Sequence, residues 1–436
     1  MRRTLGNLFN DRRQKRGLSI AEVARQTGIT RKTIERIELG LIKHPKLETV
    51  ESLTTLLEIH FTEYIPIYVQ FEINRDKLEG ILAKAVSYQK KELLLPIVCQ
   101  YVTVADTEIV KGMARLMDFA AGLENKQQAA VLYSAIAKQA LSYGLLKVLA
   151  KALFQEYMII RDINARETYR LGERVIGYSE FLSREDRLEA HYKVGVHAHL
   201  LELYRESLEI LQPIIDDKKL NEGRLKEKTL HAYYNNLIEL KEFLEADKYL
   251  ELYATEYNKH ENSYYLVDKA RIFAATGMTQ EAIPILEAHL KKNEMNNATV
   301  NAVLELIKIY LELGKTSEAL KFADYENKLA RIIEIDSIKG PFNKLHYGIY
   351  LRWMGKAFYS AQDYKMTTEF FLKSMEVFAD SKMEKAFLKT EQELFGMNEC
   401  MGFWFEEMGE QPTLLGKSSQ KRIAELLDRL HENKLP

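Results

Sequence analysis

The strongest constraint on this chain is an internal repeat. Four segments share one local pattern: Glu202-Leu203-Tyr204-Arg205-Glu206-Ser207, Lys241-Glu242-Phe243-Leu244-Glu245-Ala246, Gly277-Met278-Thr279-Gln280-Glu281-Ala282 and Gly314-Lys315-Thr316-Ser317-Glu318-Ala319. Their final small residues are spaced 39, 36 and 37 apart. A weaker fifth copy, Gln362-Asp363-Tyr364-Lys365-Met366-Thr367, follows at a spacing of 48, with the excess near Asp336 to Phe342, where Gly340-Pro341 marks an inserted loop. Twelve residues before each small residue stand Gly195, Tyr234, Ala270, Ile307 and Gly355, where a close contact from the first helix of a pair is expected. A helical hairpin of this length leaves an apolar face that only its neighbours can cover, so such units stack into a curved array with a concave groove. At 436 residues the chain is also too long for one core. Its 8 prolines and 21 glycines are too few for strands joined by tight turns. An all-α fold follows.

Charge is divided unevenly. Residues 1–60 hold 12 Lys and Arg against 7 Asp and Glu, a local excess of +5 within a formal net charge of −1, so the remaining chain carries −6. A basic head attracts polyanions, whereas an acidic helical body more often binds proteins or peptides. The overall balance excludes a wholly basic nucleic-acid coat and an acidic disordered chain. Cys99 and Cys400 lie too far apart in sequence to read as a disulfide framework or a metal site, and are expected as buried small hydrophobes in a reducing cytoplasm. Met1-Arg2-Arg3 is followed by no apolar stretch of signal-peptide type, and no apolar run approaches the roughly 20 residues of a membrane helix. A protein with no membrane association is expected.

The head parses into short helices. Leu5 to Arg16 carries Leu5, Leu8 and Phe9 at helical spacing, and Gly17 stops it. Ser19 and Glu22 form a capping box for a helix from Ile20 to Thr27, which Gly28 ends. Thr30 caps a helix running through Leu39, with Gly40 as its stop, and Leu47 to Ile59 forms a fourth. Two helices joined by Gly28-Ile29 make a helix-turn-helix. With Thr33-Ile34-Glu35-Arg36-Ile37-Glu38-Leu39-Gly40 in register behind it, the head resembles the phage-repressor, Xre-type helix-turn-helix over about its first 65 residues. The resemblance implies that Arg31, Lys32 and Arg36 face the major groove of double-stranded operator DNA. Arg31 and Arg36 are the better base readers, since Arg can bond guanine bidentately. Thr30 caps that helix, and Lys43, His44 and Lys46 are placed to touch phosphates. Arg13 and Glu38 match a structural ion pair of the family. Ile20 stands where members often carry a phosphate-binding Gln.

The repeats resemble tetratricopeptide repeats over roughly residues 185–380, with degenerate hairpins between 76 and 184 that are marked by Gly-turns at Ser142-Tyr143-Gly144 and Gly172. The expected domains are 1–65 (helix-turn-helix), 66–184 (degenerate hairpins), 185–416 (tetratricopeptide-like solenoid) and 417–436 (a capping helix). In such repeats first-helix positions two, five and nine line the groove. Counted back from the small residue at position twenty, these are Glu189, Tyr192 and Val196; Lys228, His231 and Asn235; Tyr264, Val267 and Arg271; Asn301, Leu304 and Lys308; Ile349, Arg352 and Lys356. Asn can bond both sides of an extended peptide backbone, and Arg or Lys can hold its carboxylates. The expected peptide contacts are therefore His231, Asn235, Tyr264, Arg271, Asn301, Lys308, Arg352 and Lys356. Asn235 and Asn301 would grip the two ends, and Arg271, Lys308 or Arg352 a carboxylate. Ser418 to Asn433 is amphipathic through Ile423, Leu426, Leu427 and Leu430 and reads as a cap or a dimer contact.

No catalytic constellation emerges, and no cofactor or metal is implied. There is no phosphate-cradling glycine loop and no HExxH, and His197 and His199, two apart, point to different helix faces. Trp353 and Trp404 read as repeat packing.

An Xre-type head on a tetratricopeptide body resembles the Rap/Rgg/NprR/PlcR/PrgX peptide receptors and related phage communication receptors. The resemblance implies a cytoplasmic, non-enzymatic transcription regulator, a homodimer on DNA, and a short signalling peptide in the groove as the switch. The alternative it leaves is a phosphatase-type antagonist that binds a response regulator.

Overall fold

The computed structural model describes residues 4–104, 109–218, 223–335, 341–406 and 415–431, with side chains omitted at 334–335, 341–343 and 401–406. The described residues hold helices and no strand. They form two compact units that divide between Ile160 and Arg161.

The first unit comprises α1 (Leu5–Lys15), α2 (Ile20–Thr27), α3 (Arg31–Glu38), α4 (Leu47–Leu56), α5 (Phe61–Tyr68), α6 (Arg75–Ala85), α7 (Lys91–Thr103), α8 (Ile109–Gly122), α9 (Lys126–Ser142) and α10 (Leu146–Ile160). Its head follows the punctuation of the sequence. Ser19 Oγ accepts from the Glu22 amide while the Glu22 carboxylate accepts from the Ser19 amide, so both expected capping-box bonds form. Gly28 ends α2 at φ 72°, a left-handed conformation that glycine adopts without penalty. Thr30 caps α3. Leu8, Phe9, Val23, Ile34, Ile37, Val50 and Leu53 are buried. Gly6 is required by close approach, because a Cβ there would lie 2.2 Å from the Ile37 carbonyl oxygen. The Arg13 guanidinium donates to both carboxylate oxygens of Glu38 at 2.7 Å and to the Leu18 carbonyl at 3.0 Å, which ties α1 to α3.

The second unit comprises α11 (Ala165–Gly177), α12 (Arg184–Leu200), α13 (Tyr204–Ile215), α14 (Arg224–Glu239), α15 (Phe243–Tyr257), α16 (Ser263–Ala275), α17 (Thr279–Lys291), α18 (Asn297–Glu312), α19 (Thr316–Leu320), α20 (Glu326–Ile335), α21 (Pro341–Ser360), α22 (Tyr364–Asp380), α23 (Glu384–Glu406) and α24 (Lys417–His431). Helices pair as hairpins; the first helices pack α12 on α14 and α16 on α18 on α21, and Arg271 joins α16 to α14 by hydrogen bonds to Asn235 and Glu239. The expected small residues Ser207, Ala246, Ala282, Ala319 and Thr367 are fully buried. Their partners Tyr234, Ala270 and Ile307 are buried too, and Cβ atoms at Gly195 and Gly355 would overlap Leu211 and Phe371. Five residues before each small residue the backbone turns left-handed, at Glu202, Lys241, Gly277, Gly314 and Gln362. Only two of these five are glycine. The turn is thus set by hairpin packing, which overrides the modest cost of a non-glycine residue there.

Several expectations are corrected. Gly172 is no turn but a buried position inside α11, whereas Gly144 does make the α9–α10 turn at φ 66°. The extra residues of the fifth copy lengthen its helices: a 3-10 turn at Lys321–Tyr325 and α20 extend the preceding second helix, and α21 runs 20 residues from Pro341. Of the expected inserted loop, 336–340 lies outside the described residues. Cys99 and Cys400 are exposed rather than buried, since each falls on the outward side of an otherwise packed helix. In α24, Ile423, Leu426 and Leu430 are buried in one cluster with Phe371, Phe378 and Phe387. The apolar face of Ser418–His431 thus packs on its own chain. Residues 432–433 and the side chain of Trp404 lie outside the described set.

The ends of the second unit meet. Leu200 of α12 shares an apolar cluster with Leu345 of α21 and Leu372 of α22, Lys385 pairs with Glu202 at 3.0 Å, and Arg166 pairs with Glu384.

Burial leaves a pH signature. Desolvation holds the His197 and His346 imidazoles down to about 4, against an ordinary value near 6.5. Both are neutral in the fold, and both bind a proton on unfolding below pH 6.5. Their contribution is complete above that value and is lost as pH falls from 6.5 towards 4. The urea midpoint is expected to drop between pH 7 and pH 5, and a His197→Gln/His346→Gln double variant should flatten that drop. An unchanged slope would show that these rings do not carry it.

Candidate functional site: a nucleic-acid interface and a solenoid cleft

In α3, Ile34 and Ile37 are turned into the core, so the remaining face is left to solvent. Arg31, Lys32 and Arg36 are exposed, and their side chains make no ion pair or hydrogen bond among the described residues. Arg31 and Arg36 are about 140° apart on the helix, and between them fall Glu35 and Leu39, both exposed, the latter at 68 %. These two were missed by a reading that looked only for cations. Their wheel positions, Glu35 one turn from Arg31 and Leu39 one turn from Arg36, would have shown them.

Lys43 and Lys46 are exposed on the segment between α3 and α4. His44 is differently placed. Its ring lies 4.8 Å from that of Tyr68, and its Nε2 is buried 3.6 Å from Glu72 Oε2. Glu72 is itself 2 % exposed and accepts from the Tyr68 hydroxyl at 2.8 Å and the Asn74 amide at 2.9 Å. His44 therefore anchors this segment to the helices behind it.

The concave side of the second unit holds a cleft of about 230 Å³. It is built from α12, α14, α16, α18, α21 and α23, and it gathers five of the eight expected peptide contacts: Arg271, Asn301, Lys308, Arg352 and Lys356. Leu304 and Ile349, counted to the same groove positions, line it too. His231, Asn235 and Tyr264 lie outside it. His231 stacks edge-on with Tyr264 at 5.6 Å, and Asn235 is hydrogen-bonded at both ends of its amide, donating to the His231 carbonyl at 2.9 Å and accepting from Arg271 at 2.9 Å.

Arg271 is already committed. Its guanidinium also donates to Asp268 at 2.9 Å and Glu239 at 3.0 Å. Burial works against its charge, but Asp268, Glu239 and Glu305 together outweigh burial and raise its pKa. The expectation that Arg271 awaits a ligand carboxylate is thus overtaken by partners from its own and the preceding first helix. Asn301, by contrast, makes no hydrogen bond among the described residues.

The far end of the cleft is different in charge. Arg352, Lys356 and Lys389 line it with the carboxylates Glu393 and Glu202; Glu393 Oε2 is 3.0 Å from Lys356 Nζ and 3.5 Å from Arg352 Nε, and Glu202 also acts on Arg352. Burial lowers the pKa of Arg352 and of Lys356, and Arg352 Nε has no hydrogen-bond partner. Trp353 forms part of this wall, with Lys356 Nζ 4.4 Å and Lys308 Nζ 5.9 Å from its ring centroid. It is more than repeat packing: positions 349, 352, 353 and 356 follow one helical stripe, and that spacing carried the signal. Lys389 and Glu393 come from α23, beyond the last countable repeat, and no repeat position pointed to them. His199 is buried and hydrogen-bonded to Asn236 at 2.8 Å, while His197 packs edge-on against Tyr169 at 5.4 Å. The described residues contain no cluster that could hold a metal ion, and no helix among them is long and apolar enough to cross a membrane.

The class these features define is a helix-turn-helix domain followed by a tetratricopeptide-like solenoid. Residues 4–60 match the family model described as a helix-turn-helix domain. No curated protein matches the chain. Among solved structures, it is similar to a signal transduction ATPase with numerous domains and a tetratricopeptide repeat sensor from Pyrococcus horikoshii, at 14% identity over 94% of this chain and 71% of that one, with a TM-score of 0.43. It is also similar to Bacillus thuringiensis PlcR in complex with the peptide PapR7 and DNA, at 15% identity over 62% of this chain and 98% of that one, with a TM-score of 0.22.

The two asparagines now separate cleanly. Asn235→Ala removes an acceptor from a buried guanidinium and is expected to destabilise the fold by about 1–3 kcal/mol in urea unfolding, whereas Asn301→Ala should cost little. Equal stability of both variants would mean that Asn235 does not support Arg271.

Proposed function

We propose that this protein is a cytoplasmic transcription regulator of the Rap/Rgg/NprR/PlcR/PrgX type, which binds operator DNA through α3 and is switched by a short peptide in the solenoid cleft. The observation that carries the reading is one of unused chemistry. Among the described residues the side chains of Arg31, Lys32 and Arg36 are unpaired on one helix, and a cleft of the other unit holds Asn301 and, at one end, three cations against the two carboxylates Glu393 and Glu202.

Arg31 and Arg36 read guanine edges, Glu35 can accept from a cytosine amine, and Leu39 can meet a thymine methyl. Lys32, Lys43 and Lys46 hold phosphates, and Thr30 holds the start of the helix in place. One helix-turn-helix reads only a few base pairs, so a homodimer supplies paired half-sites. In the cleft, Asn301 bonds the peptide backbone. Arg352, Lys356 and Lys389 take its C-terminal carboxylate, and Trp353 and Ile349 cover apolar side chains. A peptide that fits one curvature of the solenoid better than another shifts the population towards it, and a coupling of about 1–3 kcal/mol suffices for a switch.

Arg36→Ala should cost about 1–3 kcal/mol on the specific operator recovered by genomic selection, while Lys43→Ala should weaken specific and random DNA alike and flatten the salt dependence. Gel shifts on both DNAs across a salt series decide this. An Arg36→Ala protein that discriminates as well as wild type would show that α3 is not the reader. For the cleft, Asn301→Ala should abolish the DNA-binding response to the cognate peptide and leave peptide-free DNA binding intact. A full response in calorimetry and gel shift would remove Asn301 from the site.

A further inference from the structure

α12 and α14 each carry one continuous stripe along the concave side. On α12 it runs through Glu189, Tyr192, Val196 and His199, and on α14 through Lys228, His231, Asn235 and Glu239. The C-terminal ends of both stripes enter the cleft already described, at His199 and Glu239. Their N-terminal ends enter a second cavity of about 390 Å³, between the first turns of α12 and α14.

This cavity has an apolar floor, Leu188 and Leu225, and a rim that carries Arg184, Lys193, Arg224 and Lys228 against Glu185 and Glu189. Arg184 is answered by Asp217 at 2.8 Å. Lys193 is half-buried, and burial with the repulsion of Arg161 and Lys228 lowers its pKa despite the opposing carboxylates Glu189 and Asp162. Arg224 and Leu225 open α14, a helix of 16 residues whose cap residue, Gly223, supplies no side-chain acceptor for its first amides. The positive end of that helix adds to the same field. Crowded cations over an apolar floor, at a helix N-terminus, are stabilised by an oxyanion carried on a short aliphatic stem.

We propose that this cavity is a second anchoring subsite of the peptide, taking an acidic side chain well upstream of the C-terminal carboxylate. The proposal rests on the peptide reading above and specifies its ligand. From Lys228 to Glu239 the stripe rises about 16 Å at 1.5 Å per residue, which about five extended residues span. Arg352 and Lys356 lie beyond Glu239, on α21. The ligand is thus a peptide of at least six or seven residues with Asp or Glu at or next to its N-terminal residue. His231 and Asn235 lie along the path between the two anchors.

The test uses the full chain, immobilised, and synthetic heptapeptide pools with randomised interiors. The pools carry Glu or Lys at the first or second residue and end in a free acid or an amide, and captured peptides are quantified by mass spectrometry. Wild type is expected to favour Glu over Lys at that position by about tenfold, the size of one charge-assisted hydrogen bond. Lys228→Glu should reverse that preference, and an Arg224→Ala/Lys228→Ala variant should erase it. Both should keep the wild-type preference for the free acid, which reports on the other cleft. Both positions are exposed, and matching thermal midpoints confirm that the variants fold. Retained free-acid preference with no Glu preference in wild type overturns the subsite and leaves the peptide reading standing. Capture of no peptide from any pool overturns the peptide reading. Inorganic phosphate that protects this cavity from lysine acetylation, where Glu-bearing pools do not, also overturns the subsite and makes it a plain anion site.

Discussion

The body of this protein is organised around one buried guanidinium. Arg271 is only 12% exposed, and it reaches Asp268 on its own helix and Asn235 and Glu239 on the preceding first helix. Asp268, 1% exposed, also accepts from Tyr234 at 2.9 Å. A buried charge is tolerable only when paired and hydrogen-bonded, and removing one partner leaves the other uncompensated. This knot therefore fixes α14 against α16 in one register. A neutral chain continues it towards the start of the array. His199 meets Asn236, Asn236 donates to Ser207 at 2.8 Å, and Ser207 donates to the Gly195 carbonyl at 2.7 Å. Four helices are thereby locked by polar contacts that apolar packing alone would not specify.

The consequence for the cleft is a division of its charges. At the α14–α16 wall the carboxylates and the guanidinium satisfy one another and shape the floor. At the α21–α23 wall cations outnumber carboxylates, so the attraction left over for a ligand is concentrated there. The contacts that bring the two ends of the unit together differ again. Arg166–Glu384 and Lys385–Glu202 are largely exposed pairs, each contributing about 0–1 kcal/mol, around an apolar cluster that includes Leu200 and Leu345. The closure is thus made of weak polar ties around an apolar contact, while the Arg271 knot holds the floor of the cleft.

Much of this was legible in the sequence, for identifiable reasons. The head could be read because caps and stops are local: Ser19, Gly28 and Thr30 act within one turn of where they stand. The repeat register could be read because one small residue per hairpin must be buried, and all five were. What escaped depended on long-range neighbours. Gly172 looks like punctuation but is a packing position inside α11. His44 looks like a phosphate contact until Tyr68 and Glu72 arrive beside it. Asn235 and Arg271 look like ligand groups until each is seen to satisfy the other. Repeat position states which face a side chain occupies and says nothing about which neighbour already uses it. The second unit's closure was illegible altogether, since its ion pairs join residues about two hundred positions apart, Arg166 to Glu384 and Glu202 to Lys385.

The charge asymmetry noticed at the outset gains a physical meaning from these placements. The residues beyond the first sixty carry a net −6, yet both concave cavities carry more cations than carboxylates. At physiological ionic strength screening sets in over about 8 Å. A long polyanion such as DNA spans many such lengths and responds to the summed field, which is attractive at the +5 head and repulsive over the body. A peptide small enough to enter a cleft responds to the local field, which low-dielectric walls focus on the cations lining it. The body can therefore repel a long polyanion through its summed charge while its cavities still attract a small anion, so the two kinds of anion do not compete for one surface.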